Sequence, residues 1–330
     1  MSRDATLPAA PAPRIAVLVP CHNEAVAIGG VVAGFRRTLP QACVYVYDNN
    51  SSDATREVAR AAGAQVGSET LQGKGHVVRR MFADIEADIY VLVDGDGTYD
   101  PTAAPAMIRL LRERQLDMVT GLRVSHETAA YRPGHQLGNR LLTGLVGLVF
   151  GRRVSDMLSG YRVFSRRFVK SFPALATGFE TETEFTVHAL ELRMPVGEMV
   201  TAYAARPAGS ASKLRTLRDG WRILGTILGL LQRERPLPFF GGLGGLLFLA
   251  SLGFFLPVFS TYLESGLVPR LPTFLASVAF LLLSFLFLAV GLVLETVTRG
   301  RQEAKRIAYL AIPAPPAPES MAPAATSALQ

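Results

Sequence analysis

Two stretches without a single acidic, basic or histidine residue, Pro236 to Tyr262 and Leu271 to Leu294, constrain this chain most. Each exceeds the roughly 20 residues that carry a helix across the hydrocarbon core of a bilayer. Charge-free runs of that length rarely belong in a soluble core. They predict two transmembrane helices, at about 237–262 and 271–297, rather than a buried helical hairpin. Lys213, Arg215, Arg218, Arg222, Arg233 and Arg235 precede the first run, and Arg299, Arg301, Lys305 and Arg306 follow the second. The connection between the runs carries only Glu264 and Arg270. The positive-inside tendency then places both flanks and both termini on the cytoplasmic side of an inner (cytoplasmic) membrane, with the hairpin tip outside.

The formal net charge of +7 is explained in large part by these flanks, which anionic lipid attracts. No aromatic-basic motif of the RNA-binding kind is present, so nucleic acid is not an expected partner and a lipid bilayer is. Cys21 and Cys43 form no CxxC pair and predict no disulfide. The lead "MSRDATLPAAPAP" is polar and proline-rich, with no apolar core of a signal peptide, and the tail "PAPPAPESMAPAATSALQ" is Pro/Ala-rich; disorder is expected in both.

Between these ends the pattern alternates. "RIAVLVP", "CVYVYDNN", "IYVLVD" and "LDMVTG" read as buried strands. Helical patterns run from about Glu24 to Thr38, through "SSDATREVARAAG" with Ser52 or Asp53 as N-cap, from Gly75 to Glu86, and from Pro101 to about Arg114. Strands alternating with helices predict an α/β fold with a mostly parallel, Rossmann-like sheet covered on both faces. Ligands of such sheets bind beyond the carboxyl ends of the strands. Pro20 to Glu24, Asp48 to Asp53, and Asp94 to Asp96 all fall there. From Leu214 to Leu231, leucines and Trp221 recur at helical spacing opposite Arg215, Arg218 and Arg222. The pattern fits either a packed surface helix or an interfacial helix on the cytoplasmic leaflet; its approach to a span favours the second.

The stretch "IYVLVDGDGTYDP" carries the chemistry. Asp94 and Asp96 place like charges together, which costs free energy unless a cation or hydrogen bonds compensate. A Gly-Asp turn capping a helix is the plainer reading, and Asp100 with Pro101 fits a helix start. "GSETLQGKG" fails as a P-loop, having one residue too many between glycines and no Ser/Thr after Lys74, and it lacks the third glycine of a dinucleotide turn. ATP hydrolysis and NAD chemistry are thereby disfavoured. Hard carboxylate ligands one residue apart suit Mg²⁺ or Mn²⁺ on a substrate diphosphate.

"VLVPCHNEA", "YDNNSSDAT", "GKG", "VLVDGDGTYDP" and "DMLSGYRVFSRR" occur in the order and at roughly the spacing of family 2 inverting glycosyltransferases with the GT-A fold. The chain most resembles their polyprenyl-phosphate branch, which includes dolichyl-phosphate mannosyltransferases and bacterial undecaprenyl-phosphate sugar transferases. The resemblance covers about residues 14 to 235, and the two spans are similar to those of membrane-anchored bacterial members. It implies transfer from a nucleotide-sugar, UDP- or GDP-linked, to a polyprenyl phosphate, in cell-envelope glycan or glycoconjugate synthesis. Pro20, Asn23 and Glu24 would line the nucleotide pocket, with Asp48 near the base or ribose and Lys74 within reach of the phosphates. Asp94 and Asp96 match the metal-binding DxD motif, with Asp96 the better direct ligand and a catalytic one. Asp156 matches an acidic position near the reacting centre, and Arg162 would hold phosphate or shape the acceptor site. The expected division is a lead (1–13), a GT-A domain (14–212), an interfacial helix (213–235), two spans (236–298) and a cytoplasmic tail (299–330).

Plainer roles stand beside these. Asn23, Glu24, Asp48 and Asp53 also suit caps and turns, and for Asp53 that reading is preferred. Lys74 also suits a solvated loop charge, and Asp156 an ion pair with Arg162. Because a lipid phosphate oxygen is already anionic, an essential base is not required. Glu182 or Glu184 in "GFETETEF" offers an alternative base or a contact to a sugar hydroxyl, against helix capping by Thr181 or Thr183. Arg123, His126, Arg132 and His135, with Ser210, Ser212, Lys213 and Arg215, form a second cluster suited to the acceptor phosphate or to ordinary headgroups; Arg123 and Lys213 are the leading acceptor candidates. A processive polysaccharide synthase is disfavoured, because "DGWRIL" lacks the glutamine of a QxxRW motif and only two spans are present. A non-catalytic membrane adaptor is disfavoured by retention of both DxD acids. The oligomeric state, a homo-oligomer included, is open.

Overall fold

The computed structural model describes residues 12–124, 155–178, 180–204 and 232–314, with the isolated glycines 144, 147, 225 and 229. Lys213, His126, Arg132, His135 and most of the expected interfacial helix lie outside the described residues.

The chain enters the sheet through β1 (Ile15–Cys21), whose sequence IAVLVPC is apolar almost throughout because both faces are covered. Helix α1 (Ile28–Thr38) returns to β2 (Cys43–Asp48), α2 (Thr55–Ala61) to β3 (Gln65–Ser68), and α3 (Lys74–Asp84) to β4 (Ile89–Leu92). A short 3₁₀ turn (Pro101–Ala103) and α4 (Ala104–Glu113) lead to β5 (Met118–Val124). Strand β6 (Arg162–Ser165), helices α5 (Arg166–Ser171) and α6 (Thr181–Glu191), and β7 (Val196–Ala202) complete the domain. The seven strands run in the order β3-β2-β1-β4-β6-β5-β7. Pairing is parallel except where β6 meets β4 and β5, so one strand is reversed in an otherwise parallel sheet.

Alternation along β1 divides the core in two. Ile15, Val17 and Val19 join Val32 and Phe35 of α1 and Met107 and Leu111 of α4 on one face. Ala16 and Leu18 join Val78, Met81 and Phe82 of α3 and Phe185 of α6 on the other. Three layers therefore sandwich a sheet buried on both sides. Parallel pairing brings the carboxyl ends of β1, β2 and β4 to one edge, which gathers Cys21, Asp48 and the residues after Leu92 there.

The second compact unit covers Leu217–Ala304. Helices α7 (Pro236–Ser265) and α8 (Leu271–Leu310) are both long and apolar enough to cross a membrane. Apart from Pro236 at the start of α7, their buried positions repeat every seven residues: Gly244, Ser251 and Val258 on α7, and Ser277, Ser284, Gly291 and Thr298 on α8. Small side chains at this seven-residue spacing let two backbones approach closely. Ser251 Oγ accordingly donates to the Ser277 carbonyl at 2.8 Å. Leucine, phenylalanine and valine dominate the exposed positions between.

From Lys305 onward α8 belongs to the sheet unit. Lys305 Nζ meets the buried Glu191 carboxylate at 2.6 Å. The Tyr309 hydroxyl donates to Asp117 at 2.9 Å, beneath the Arg167 guanidinium.

Candidate functional site

The turn between β4 and the 3₁₀ segment presents the two acids. Asp96, only 4% exposed, accepts from the Thr98 amide at 3.1 Å and the Thr98 hydroxyl at 2.6 Å. Asp100 accepts from the Thr102 amide at 2.9 Å, capping the 3₁₀ segment as its position before Pro101 predicts. Gly95 is required by the interior: a Cβ there would lie 2.4 Å from Cys21 Sγ. The turn is thus seated on the end of β1.

Asp94 is held from two sides. Lys74, the first residue of α3, hydrogen-bonds through its ammonium to Asp94 Oδ1 and Glu182 Oε1 together. The Lys74 side chain is 9% exposed and that of Glu182 6%, which excludes the solvated-loop reading. Burial works to lower the Lys74 pKa, but the carboxylates of Asp94 and Glu182 overcome it and raise it, so the ammonium persists. On the other side, a Cβ on Gly160 would sit 2.2 Å from Asp94 Oδ2. Only glycine in "DMLSGYR" lets that turn close against the carboxylate.

The same turn carries Asp156, and here two expectations are corrected. Asp156 pairs with Arg123, at 2.7 and 2.8 Å in a two-pronged contact, and not with Arg162. Arg162 is fully buried and directs its guanidinium to the carbonyls of Met157 (2.7 Å) and Ser159 (3.1 Å) and to Thr186 Oγ1 (3.0 Å). It shapes the turn from within and reaches no surface at which a phosphate docks. Arg123, with Tyr203 packed beneath it, has its charge balanced by Asp156.

Burial alone would raise the Asp156 carboxyl, yet Arg123 outweighs burial and holds it below the usual carboxylate range. A depressed folded value means that the pair contributes stability above the unfolded carboxyl pKa, about 3.9. That contribution disappears as pH falls through the lower folded value. Circular-dichroism melts of the full chain in detergent should therefore steepen their decline below about pH 4, and Asp156→Asn should flatten that added decline. An Asp156→Asn variant with an unaltered acid limb would contradict the assignment.

Beyond the end of β1, Asn23 sits at φ 54° and accepts from the Ser52 amide at 2.8 Å, while the Glu24 amide donates to Thr55 Oγ1 at 2.9 Å. Asp53 accepts from Ala25 and Thr55, the turn role expected of it. The N-cap position of α2 is Ala54, with no side-chain cap, rather than Ser52 or Asp53. Asp48 is fully buried; Oδ2 accepts from Arg56 at 2.6 Å and from the Ser51 amide at 3.2 Å. Its Oδ1 has no hydrogen-bond partner among the described residues. Pro20 lies within β1 one residue before Cys21.

Sequence reasoning did not single out Asn49. Its amide donates to the Glu69 and Leu71 carbonyls at 2.9 and 2.8 Å, and its oxygen accepts from Gly73 at 2.7 Å. It thereby fixes the loop that delivers Lys74. Glu184, weighed as a base, accepts instead from the Leu175 and Ala176 amides, both at 2.9 Å. Neither Thr181 nor Thr183 caps α6.

The acids suit a divalent cation. A cationic group, Lys74, already rests on Asp94, and Asp96 lies on the same turn. Among the described residues no group of three His, Cys, Asp or Glu side chains is arranged to hold a metal alone. The protein would supply two carboxylates and leave other positions to a ligand's oxygens, which is how such ions bind phosphates.

The sequence profile of glycosyl transferase family 2 matches residues 16–172. Glycosyltransferase AglJ of Haloferax volcanii is 35% identical over 236 residues, covering 70% of this chain and 76% of that protein. The dodecaprenyl-phosphate galacturonate synthase of Rhizobium johnstonii is 24% identical over 303 residues, 86% of this chain and 88% of its own. Among solved structures, glucosyl-3-phosphoglycerate synthase of Mycobacterium tuberculosis, in complex with Mn²⁺, UDP-glucose and phosphoglyceric acid, superposes with a TM-score of 0.53. At 22% identity, over 66% of this chain and 79% of that one, it establishes the shared GT-A fold. The chain is a glycosyltransferase and belongs to glycosyl transferase family 2.

Proposed function

We propose that this enzyme transfers a sugar from a nucleoside-diphosphate donor to a polyprenyl phosphate at the cytoplasmic face of a membrane, with inversion. The observation that carries the reading is the convergence of Asp94, Asp96 and Lys74 beyond the sheet's carboxyl edge, in a chain that also has two apolar helices. The alignment with a dodecaprenyl-phosphate galacturonate synthase over 86% of the chain supports the lipid acceptor.

In this reading Asp94 and Asp96 hold Mg²⁺ or Mn²⁺, which would neutralise charge developing on the departing diphosphate. Lys74 provides a fixed positive charge beside it, and the N-termini of α3 and α6, which start at Lys74 and Thr181, add two helix dipoles of the same sign. The lipid phosphate oxygen attacks the anomeric carbon as the bond to the diphosphate breaks on the opposite face. Being anionic already, it gives up no proton, and the paired Asp156 need not act as a base. Asp156 and Arg123 instead fix the acceptor side of the site. Asp48 Oδ1, without a hydrogen-bond partner among the described residues, favours a base that presents one N–H, as uracil does at N3, over guanine with two adjacent donors.

Full-length protein in detergent, given undecaprenyl phosphate, Mn²⁺ or Mg²⁺ and a panel of radiolabelled UDP- and GDP-sugars, should move label from a UDP-sugar into the organic phase. Failure of every donor to label the lipid would sink the reading. Labelling by a GDP-sugar alone would overturn only the uridine assignment.

A further inference from the structure

We propose that Lys74 is the resident cation of the donor-free site, and that Glu182 is the positioning residue that retains its ammonium when a divalent cation takes Asp94. The inference rests on the reading of Asp94 and Asp96 as metal ligands.

The Lys74 ammonium has three N–H donors, and two carboxylates share it. Asp94, Glu182 and Lys74 together sum to one negative charge. A divalent ion placed on Asp94 with Lys74 unmoved would set two cations against one carboxylate group, an unfavourable arrangement at low dielectric. The ammonium cannot escape to water, because its side chain is 9% exposed. The start of the helix that bears it is tied down, because the Gly75 amide donates to the Thr177 carbonyl at 3.2 Å. A Cβ on Gly75 would meet the Ala176 carbonyl oxygen at 2.1 Å and Thr181 Oγ1 at 2.8 Å, so the starts of α3 and α6 are in contact.

One direction is open. Glu182 is 5% exposed, and its Oε1 accepts from the Lys74 ammonium. Its Oε2 is buried with no hydrogen-bond partner. That second oxygen can accept the N–H that Asp94 relinquishes, so the ammonium passes from a shared position to Glu182 alone. It then remains beside the diphosphate as a second positive charge. It follows that Lys74 and the metal compete for Asp94 in the donor-free enzyme. The anionic diphosphate offsets both cations and makes metal loading follow donor binding.

The test is Mn²⁺ binding to the full chain in detergent without any nucleotide, read from the electron paramagnetic resonance signal of free Mn²⁺. Circular dichroism checks each variant's fold. Lys74→Met should bind Mn²⁺ tighter than wild type by roughly fivefold or more, since the competing cation is gone. Glu182→Gln should bind it more weakly by a similar factor, because Lys74 then has Asp94 as its sole anionic partner. In the Lys74→Met background the Glu182→Gln loss should shrink by about half or more, as expected of a residue that acts through Lys74. Glu182→Asp should recover part of the wild-type affinity.

Lys74→Met binding no tighter than wild type would overturn the proposal. So would an undiminished Glu182→Gln loss in the Lys74→Met background, the behaviour of a direct metal ligand. If Lys74→Met does not fold, Lys74→Gln takes its place, and Glu182→Gln binding as tightly as wild type overturns the proposal by itself. These readouts use no sugar donor, so they separate this inference from the transfer assay: an enzyme that labels lipid yet shows no such ordering refutes the Lys74 exchange alone.

Discussion

Asp96→Asn should lower the rate of lipid-linked product formation about a thousandfold while leaving the folded domain in place, since several kcal/mol of charge stabilisation are at stake. The substitution is chosen for what it keeps. Asp96 Oδ1 accepts from the Thr98 amide and hydroxyl, and an asparagine carbonyl oxygen can accept both. The turn after β4 therefore survives, and the charge that would hold the divalent ion does not. Asp94→Asn is a less clean experiment, because it also removes an anionic partner of the buried Lys74. The measurement is initial rate at saturating donor and Mn²⁺, with circular-dichroism melts in parallel. An Asp96→Asn enzyme within about tenfold of wild type, equally folded, would remove Asp96 from the metal site.

The sequence announces the strands that are buried on both faces. β1, β2 and β4 are rich in Val, Ile, Leu and Tyr, and β5 opens on the buried MVTG, so all four read as strands. β3 (QVGS) and β7 (VGEMVTA) occupy the two sheet edges, where partial exposure dilutes the apolar signal. β6 (RVFS) opens on an arginine that is buried, contrary to the ordinary behaviour of that residue, and its reversed direction leaves no trace in periodicity. The seven-residue repeat of small residues is legible in hindsight, but hydropathy alone sees only two apolar runs.

The site was legible where chemistry and local position coincide, and obscure where partners are distant. Asp94 and Asp96 stand at a strand end and repel one another, so their alternation is itself a signal. Lys74 is legible as a cation near the phosphates through the GKG motif, but its contact with Glu182 is not, because that partner lies 108 residues away. Asn49 reads as an ordinary turn residue beside Asp48 until the loop at Glu69 to Gly73 folds onto it. Asp156 and Arg162 are close in sequence, which suits a local ion pair as the plainer role of Asp156. Arg123 replaces Arg162 because β5 lies next to β6 in the sheet, a neighbour relation that no local pattern encodes.

That rearrangement makes Arg162 the residue whose loss should cost most stability. Arg162→Met is expected to lower the unfolding free energy by about 3–5 kcal/mol, because buried acceptors left without a donor cost about 1–3 kcal/mol each. Methionine fills much of the volume but leaves the Met157 and Ser159 carbonyls and the Thr186 hydroxyl without their donor. Burial brings the Arg162 guanidinium down to about 10, with the nearby Glu182 and Asp156 charges opposing it, so it stays protonated at neutral pH. Its contact with the Phe185 ring, 5.7 Å from the centroid, is lost as well. Arg162→Lys should recover less than half of the difference, because a single ammonium cannot reproduce the planar fork that spans two carbonyls. The melting temperature of the sheet domain should fall by roughly 10 °C in the methionine variant. Transfer should fall with it even below the melt, since the same turn sets Gly160 against Asp94 and Asp156 against Arg123. A methionine variant melting within about 2 °C of wild type would show that the turn is held by other contacts.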